Sequence, residues 1–235
     1  MSVKIIPIDR SIIPACDVNV TRYEEIVRET CNLPQIGGYK ISAALALSIG
    51  IPEVVKIARK YTEKPLIYDH QKAATDIPET GRTFVTVIKE SGIDALIIFP
   101  LTGPLTQASW IRSAQEIGLP IIVGGYMTHE RYLVSEGGYI ADDAATEKIY
   151  TNSVYEGIKD YVVPGNKPEV IKTIRKMLLD MNIDPIFYSP GFISQGGRIS
   201  DAAVAAGNHW HAIVGRAIYE AQDIRKAVMS LASHL

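Results

Sequence analysis

The sequence predicts a single (β/α)8 TIM barrel spanning residues 1–235. A length of 235 residues suits one large α/β domain. Short apolar runs alternate with helical patterns along the chain, and no change in composition marks a linker. The alternative is a doubly wound open sheet, which usually carries a G-x-G-x-x-G turn after its first strand. Residues 17–21 occupy that position without a glycine, which favours the barrel.

In the first half of the chain, apolar runs predict strands at residues 11–16, 35–41, 65–69 and 95–99. Helical patterns lie between and after them at residues 22–30, 42–47, 51–61, 79–91 and 105–117. Thr21 is a suitable N-cap for the first helix, with Glu24 and Glu25 in its first turn. Gly92 and Gly118 end the last two helices.

In the second half, strands are predicted at residues 120–125, 160–163, 185–189 and 211–214. Helices are predicted at residues 142–157, 168–180, 199–206 and 217–233. Residues 126–141 are polar and rich in glycine, and they follow the fifth strand without a regular pattern. A segment of this kind is a candidate binding loop.

Composition excludes several classes of protein. A net charge of -2 argues against a general nucleic-acid binder. Five histidines and two cysteines are too few for a metal site with many such ligands. Cys16 and Cys31 fall in different predicted elements, which predicts reduced thiols. No apolar run reaches the roughly 18 residues of a membrane span. Residues 1–10 lack the apolar core of a signal peptide, so we expect a cytoplasmic protein.

Charged residues of alternating sign end the first three strands. They are Asp17, Lys40, Asp69 and Lys72, and Asp76 follows them before the next helix. The carboxyl ends of the strands meet at the mouth of a barrel, so one electrostatic network explains these charges, although a purely structural network is the alternative. A lysine between two carboxylates keeps its proton and can deliver it to a developing carbanion.

A second group of residues predicts a phosphate site after strands seven and eight. Residues 189–198 form a glycine-rich loop, and Gly215 and Arg216 end the last strand. Many barrels bind phosphate here through backbone N–H groups and a nearby cation, and arginine can hold a phosphate in a bidentate way.

The remaining polar candidates are weaker. His209 and His211 fall at the amino end of strand eight, away from the mouth, and are predicted to be structural. Thr128 follows strand five on the mouth side, where it is placed to hydrogen-bond a polar ring edge or to cap a turn.

Taken together, the motifs resemble the orotidine 5'-phosphate decarboxylase family, especially its archaeal members. Residues 76–80 read D-I-P-E-T, as in that family, and the phosphate loop and the segment around Gly215 and Arg216 match in the same order. The resemblance covers nearly the whole chain. It implies a barrel that decarboxylates orotidine 5'-monophosphate to uridine 5'-monophosphate in de novo pyrimidine biosynthesis. It further implies no cofactor, no metal, and a homodimer whose sites are shared between subunits.

The resemblance also implies roles for individual residues. Lys72 would protonate C6, Asp69 would face the substrate carboxylate, and Asp76 with Thr80 would reach into the neighbouring subunit's site. The remaining implied contacts are Asp17 and Lys40 on the ribose, Thr128 on the pyrimidine, and Gln195, Gly215 and Arg216 on the phosphate.

One spacing departs from the family pattern. The family signature places its two acids five positions apart, whereas Asp69 and Asp76 are seven apart. Two additional residues must therefore be absorbed by a bulge or a wider loop. Two alternatives follow: a metal-dependent sugar-phosphate enzyme of the hexulose-phosphate synthase or ketogulonate-phosphate decarboxylase type, and a nucleotide-binding relative without catalysis.

Overall fold

Eight parallel strands close into a barrel in the order in which they occur along the chain. The computed structural model describes residues 4–71, 73–138, 142–193 and 195–235. The strands are β1 (Arg10–Cys16), β2 (Tyr39–Ser42), β3 (Leu66–Asp69), β4 (Ala95–Ile98), β5 (Ile121–Gly124), β6 (Asp160–Val162), β7 (Ile186–Ser189) and β8 (Trp210–Val214). The pairing of β1 with β8, with Ile13 opposite Ile213, closes the barrel. The predicted (β/α)8 fold is confirmed.

Helices surround the barrel. They are α1 (Val20–Thr30), α2 (Ala43–Ile49), α3 (Ile51–Arg59), α4 (Thr80–Glu90), α5 (Pro104–Glu116), α6 (Asp143–Tyr155), α7 (Pro168–Asp180), α8 (Ile199–Ala206), α9 (Arg216–Tyr219) and α10 (Ile224–Ala232). One apolar cluster fills the barrel interior, with Ile13, Ile97 and Ile213 among its members. A larger cluster packs the helices on the outside of the strands. Both faces of every strand are therefore covered, as a parallel sheet requires.

The second strand is shorter than predicted. Residues 35–41 were expected to form it, but β2 begins at Tyr39, and Ile36 makes only an isolated bridge to Ile12. Gly37 and Gly38 separate the two pieces, and a Cβ on Gly37 would overlap the side chain of Ser11. The chain thus crosses β1 too closely at this point to continue as a regular strand.

The last helix is also divided. Residues 217–233 were predicted as one helix, whereas the chain forms α9 and α10 with a break between them. Asp223 ends the break, because its side chain accepts a hydrogen bond from the Lys226 N–H at 2.9 Å and caps α10. Aspartate at this position competes with a continuous helix by favouring a cap.

The long segment after β5 contains a short 3-10 helix, Val134–Glu136. Residues 139–141 of the predicted 126–141 loop lie outside the described residues. Among the helices that the structure describes, none has the length and apolar character needed to cross a membrane.

Candidate active site

A cavity of about 220 Å³ opens at the carboxyl ends of the strands. Its lining residues are Ala15, Asp17, Lys40, Asp69, Gln71, Phe99, Tyr126, Met127, Thr128, Val162, Pro190, Gly191, Phe192, Gln195, Ile213, Gly215, Arg216 and Tyr219. This end of a barrel is where active sites of TIM-barrel enzymes lie. The fold therefore brings the predicted residues of strands one, two, three, five, seven and eight into one mouth.

Lys40 is the centre of the charged wall. Its Nζ lies 2.7 Å from Asp69 Oδ2 and 3.5 Å from Asp17 Oδ1. Lys40 and Asp69 are both 8% exposed, whereas the side chain of Asp17 is 47% exposed. Burial of the ammonium group lowers the pKa of Lys40, but Asp69 and Asp17 raise it by more, so the net shift is upward. Lys40 stays protonated at neutral pH.

The neighbouring strands explain this geometry. Lys40 pairs with Ala15 of β1 and Ile67 of β3, so it stands between the strands that carry Asp17 and Asp69. The predicted alternation of acid and base across adjacent strands is present for these three residues. Lys72, the fourth member, lies outside the described residues.

Backbone hydrogen bonds anchor the chain after β3, in the region where the sequence has its two additional residues, and a strained residue follows. The Ala73 N–H donates to the His70 carbonyl at 2.7 Å, and the Phe99 N–H donates to the Ala73 carbonyl at 3.1 Å. Ala74 then adopts a left-handed conformation with φ of 62°. A positive φ is costly for alanine, so the surrounding hydrogen bonds must hold it. The backbone at Ala73 is thus anchored to Phe99, directly after β4.

Asp76 and Thr80 lie apart from this cavity. The residues that the structure shows lining the cavity do not include either of them. The Asp76 carboxylate is exposed and accepts from the Ile77 N–H at 2.7 Å, while the Asp76 carbonyl accepts from the Thr106 hydroxyl at 3.0 Å. Thr80 begins α4 and donates to the Ile77 carbonyl at 2.9 Å. Asp76 is therefore exposed on the outer rim of the mouth, whereas Thr80 is half-buried there.

The opposite wall contains the glycine-rich loop after β7. Gly191 and Gly196 have φ values of 106° and 83°, which other residues adopt with strain. The Gly197 N–H donates to the Gly191 carbonyl at 3.1 Å, which closes the loop on itself. Gln195 lines the cavity from this loop, and Ser194 lies outside the described residues.

Arg216 completes this wall together with Gly215. Its side chain is exposed, and no carboxylate among the described residues lies within ion-pair distance of its guanidinium. The Gly215 carbonyl accepts from the N–H groups of Ile218 and Tyr219 at 2.8 and 3.1 Å, which starts α9 immediately at the cavity. An uncompensated arginine beside a glycine backbone is suited to a phosphate group.

Thr128 lines the cavity as predicted, but several of its neighbours were not predicted. Tyr126 and Met127 precede it on the same loop, Phe99 directly follows β4, and Tyr219 lies on α9. Tyr126 and Met127 follow directly after a predicted strand, so their position was a usable signal. The ring of Phe99 reads in the sequence as ordinary strand core, and only the closed barrel turns it towards the mouth.

His211 at the start of β8 and His209 just before it lie at the other end of the barrel. His211 is 1% exposed and its Nδ1 lies 2.8 Å from Ser11 Oγ. His209 Nδ1 lies 3.0 Å from Asp9 Oδ1. The predicted structural role agrees with this placement. In the part of the chain that the structure describes, no cluster of three or more histidine, cysteine or acidic residues is placed to hold a metal ion.

Comparisons with known proteins match both the sequence and the fold. A curated orotidine 5'-phosphate decarboxylase of Methanosarcina mazei is 31% identical over 219 residues, which cover 93% of this chain and 92% of the relative. That of Methanosarcina barkeri is 34% identical over 198 residues, which cover 84% of this chain and 80% of the relative.

Solved structures agree with this result. The orotidine 5'-monophosphate decarboxylase of Methanocaldococcus jannaschii, complexed with the inhibitor BMP, superimposes with a TM-score of 0.82 at 23% identity, covering 96% of this chain and 98% of that chain. At that identity the likeness concerns the fold alone. The orotidine 5'-phosphate decarboxylase of Pyrococcus horikoshii gives a TM-score of 0.76 at 26% identity, covering 95% and 98%. A model of the orotidine 5'-phosphate decarboxylase / HUMPS family matches residues 11–231. The chain therefore belongs to the orotidine 5'-phosphate decarboxylase / HUMPS family.

Proposed function

We propose that this protein decarboxylates orotidine 5'-monophosphate to uridine 5'-monophosphate, the last step of de novo pyrimidine nucleotide synthesis. The observation that carries the proposal is the cavity itself. One wall holds a buried lysine between two carboxylates, and another holds a glycine-rich loop with an uncompensated arginine. The names of the relatives support this choice of substrate. The two free thiols, Cys16 and Cys31, are in keeping with the cytoplasmic location predicted from the sequence.

Binding would use groups remote from the reacting carbon. Arg216, the Gly215 backbone and Gln195 would hold the phosphate, and Asp17 and Lys40 would hold the ribose hydroxyls. Thr128 would contact the pyrimidine edge. Binding energy from these contacts lowers the barrier only if it is realised in the transition state. In the bound substrate the carboxylate would sit against Asp69.

The chemical step would break the bond between C6 and the carboxylate carbon. Carbon dioxide leaves, and the electron pair of the broken bond remains on C6. Asp69 faces the departing group, so the repulsion between two carboxylates ends when carbon dioxide is released. We assign Lys72 to stabilise the charge at C6 electrostatically and then to donate its proton there. Lys40 would hold the Asp69 carboxylate in place through its contact of 2.7 Å.

A second copy of the chain would complete each site. Asp76 and Thr80 lie on the outer rim in their own subunit, and apolar side chains surround the same edge of the mouth. Leu47 is 86% exposed, Ile77 57% and Leu105 79%. Exposed apolar groups of this kind mark protein interfaces. We propose a homodimer in which Asp76 and Thr80 of each subunit enter the site of the other.

The central experiment is an orotidine 5'-monophosphate assay with and without chelator. We expect turnover that a chelator leaves unchanged and that Lys72→Ala removes without loss of uridine 5'-monophosphate binding. Turnover of a sugar phosphate that stops with chelator would replace the proposal by the metal-dependent alternative. Binding of uridine 5'-monophosphate without any turnover would indicate the non-catalytic relative.

Shared sites are tested by complementation. Asp76→Asn and Lys72→Ala are each expected to be nearly inactive alone. In a mixed dimer one site carries both defects and the other carries neither. With free exchange about half of the dimers are mixed, so about a quarter of the wild-type activity should return if the sites act independently. Mass-tagged chains verify the exchange, and activity that stays at the single-variant level would place Asp76 in its own subunit's site.

A further inference from the structure

Glu136 joins three separate parts of the molecule beside the cavity. It lies in the β5 loop, which we define as residues 126–138. Its Oε1 accepts hydrogen bonds from the Tyr126 hydroxyl at 3.1 Å and from Lys167 Nζ at 3.3 Å. Its Oε2 accepts from the Tyr132 N–H at 3.1 Å. Both carboxylate oxygens are therefore engaged, one by the start of the loop and the other by its middle.

One of these partners, Tyr126, belongs to the cavity wall, and Lys167 packs on its ring. Met127 and Thr128 follow Tyr126 on the same wall. Lys167 immediately precedes α7 in the loop after β6, and its Nζ lies 4.7 Å from the centre of the Tyr126 ring. Lys167 is thus linked to Tyr126 in two ways. Both side chains donate to Glu136 Oε1, and the ammonium group lies over the Tyr126 ring.

Partial burial distinguishes this cluster from a surface ion pair. The side chains of Lys167 and Glu136 are 21% and 32% exposed. Burial alone would raise the pKa of Glu136, but the hydrogen bonds from Lys167 and Tyr126 outweigh it and lower that pKa. Burial, followed by the hydrogen bond to Glu136, raises the pKa of Tyr126 to about 12. At neutral pH the Tyr126 hydroxyl therefore keeps its proton and donates it to the Glu136 carboxylate, which makes a charge-assisted hydrogen bond.

The base of the β5 loop is held independently of Glu136. The N–H groups of Gly125 and Tyr126 donate to the Tyr150 hydroxyl, each at 3.1 Å, and that hydroxyl donates to the Val162 carbonyl at 2.8 Å. Asn166 Nδ2 donates to the Thr128 carbonyl at 3.0 Å. Loss of Glu136 should therefore release the Tyr126 ring and the outer part of the loop while the barrel stays folded.

We propose that Glu136 is a positioning residue, which fixes the Tyr126 side of the cavity by linking it to Lys167 before substrate binds. The inference rests on the proposed function for its kinetic consequence. If the Tyr126 side of the cavity is already ordered, substrate binding does not have to supply the free energy of ordering it. The pyrimidine then meets Thr128 in a fixed position. Tyr126 is the residue through which Glu136 acts.

The test compares Glu136→Ala and Glu136→Gln with Glu130→Gln, a change of an exposed carboxylate in the same loop. Hydrogen exchange on the ligand-free protein should show faster exchange of residues 127–138 in Glu136→Ala and unchanged exchange in the barrel strands. We expect kcat/KM for orotidine 5'-monophosphate to fall about tenfold or more, the loss expected from one charged hydrogen-bonding group. Glu136→Gln should recover part of the loss, and Glu130→Gln should behave as wild type.

A double-variant cycle separates positioning from a merely structural role. If Glu136 acts through Tyr126, Glu136→Ala should lower kcat/KM less in a Tyr126→Phe background than in the wild type. Additive losses, unchanged exchange in the loop, or faster exchange with unchanged kcat/KM would each overturn the proposal.

The outcome also separates this inference from the proposed function. If the wild type does not turn over orotidine 5'-monophosphate, the proposed function fails. The role of Glu136 is then decided by the affinity for uridine 5'-monophosphate, measured by calorimetry. A weaker affinity in Glu136→Ala together with faster loop exchange supports it, and an unchanged affinity overturns it.

Discussion

Replacing Lys40 by methionine should destabilise the protein far more than neutralising Asp17. Lys40→Met keeps the length of the side chain but removes the cation 2.7 Å from Asp69. Asp69 Oδ1 has no hydrogen-bond partner among the described residues, and the residue is 8% exposed. The variant therefore leaves a buried carboxylate without its nearest compensating charge.

The expected cost follows from this burial. Removing one partner of a buried ion pair typically costs about 3–5 kcal/mol in free energy of unfolding. For a chain of this length each kcal/mol lowers Tm by about 2 °C, so the shift is roughly 6–10 °C. Asp17→Asn affects a longer contact on a side chain that is 47% exposed, so we expect a loss below about 1 kcal/mol.

Urea unfolding followed by circular dichroism measures both variants at pH 7 and pH 4. Because the pKa of Lys40 is raised, the wild type keeps its stabilisation at every pH below the ordinary lysine value of about 10.4 and loses it as pH rises through the higher folded value. In Lys40→Met the deficit should narrow in acid, where protonation removes the unpaired charge. A loss under about 1 kcal/mol, or equal losses for the two variants, would refute the reasoning that Lys40 compensates a buried charge.

The remaining predictions concern the phosphate wall, the base of the barrel and its packing. Arg216→Ala should lower kcat/KM and weaken uridine 5'-monophosphate binding in calorimetry, whereas Arg28→Ala, which changes an exposed arginine on α1 away from the cavity lining, should not. Burial raises the pKa of Asp160 to about 6, so the wild type loses stability as pH rises from about 4 to 6. Asp160→Asn should therefore be more stable by about 1–3 kcal/mol at pH 7 in urea unfolding, with no gain at pH 4. A Cβ on Gly124 would overlap the Phe99 ring, so Gly124→Ala should cost about 1–3 kcal/mol and be partly rescued by Phe99→Leu; an unaltered urea midpoint would contradict this.

The sequence by itself determined the architecture and predicted several of the residues that line the cavity. The spacing of apolar residues and the local composition are properties of short segments. The alternation of apolar runs and helical patterns was therefore enough to predict eight βα units. Asp17, Lys40 and Asp69 could be grouped because parallel strands in a barrel end at one face. The glycine-rich loop and Arg216 followed from the same rule, and the D-I-P-E-T segment added the resemblance to a family.

Only the tertiary structure decided features that depend on close contacts between distant segments. The second strand is interrupted because the backbone at Gly37 passes too close to Ser11. Secondary-structure propensities of single residues do not predict such a contact. The chain after β3 is held by a hydrogen bond between Ala73 and Phe99, two residues on different βα units. Glu136 reads in the sequence as one exposed acid of a polar loop, and its role depends on where the fold brings Lys167. Such contacts arise from packing between elements, and their geometry is fixed only when the barrel closes.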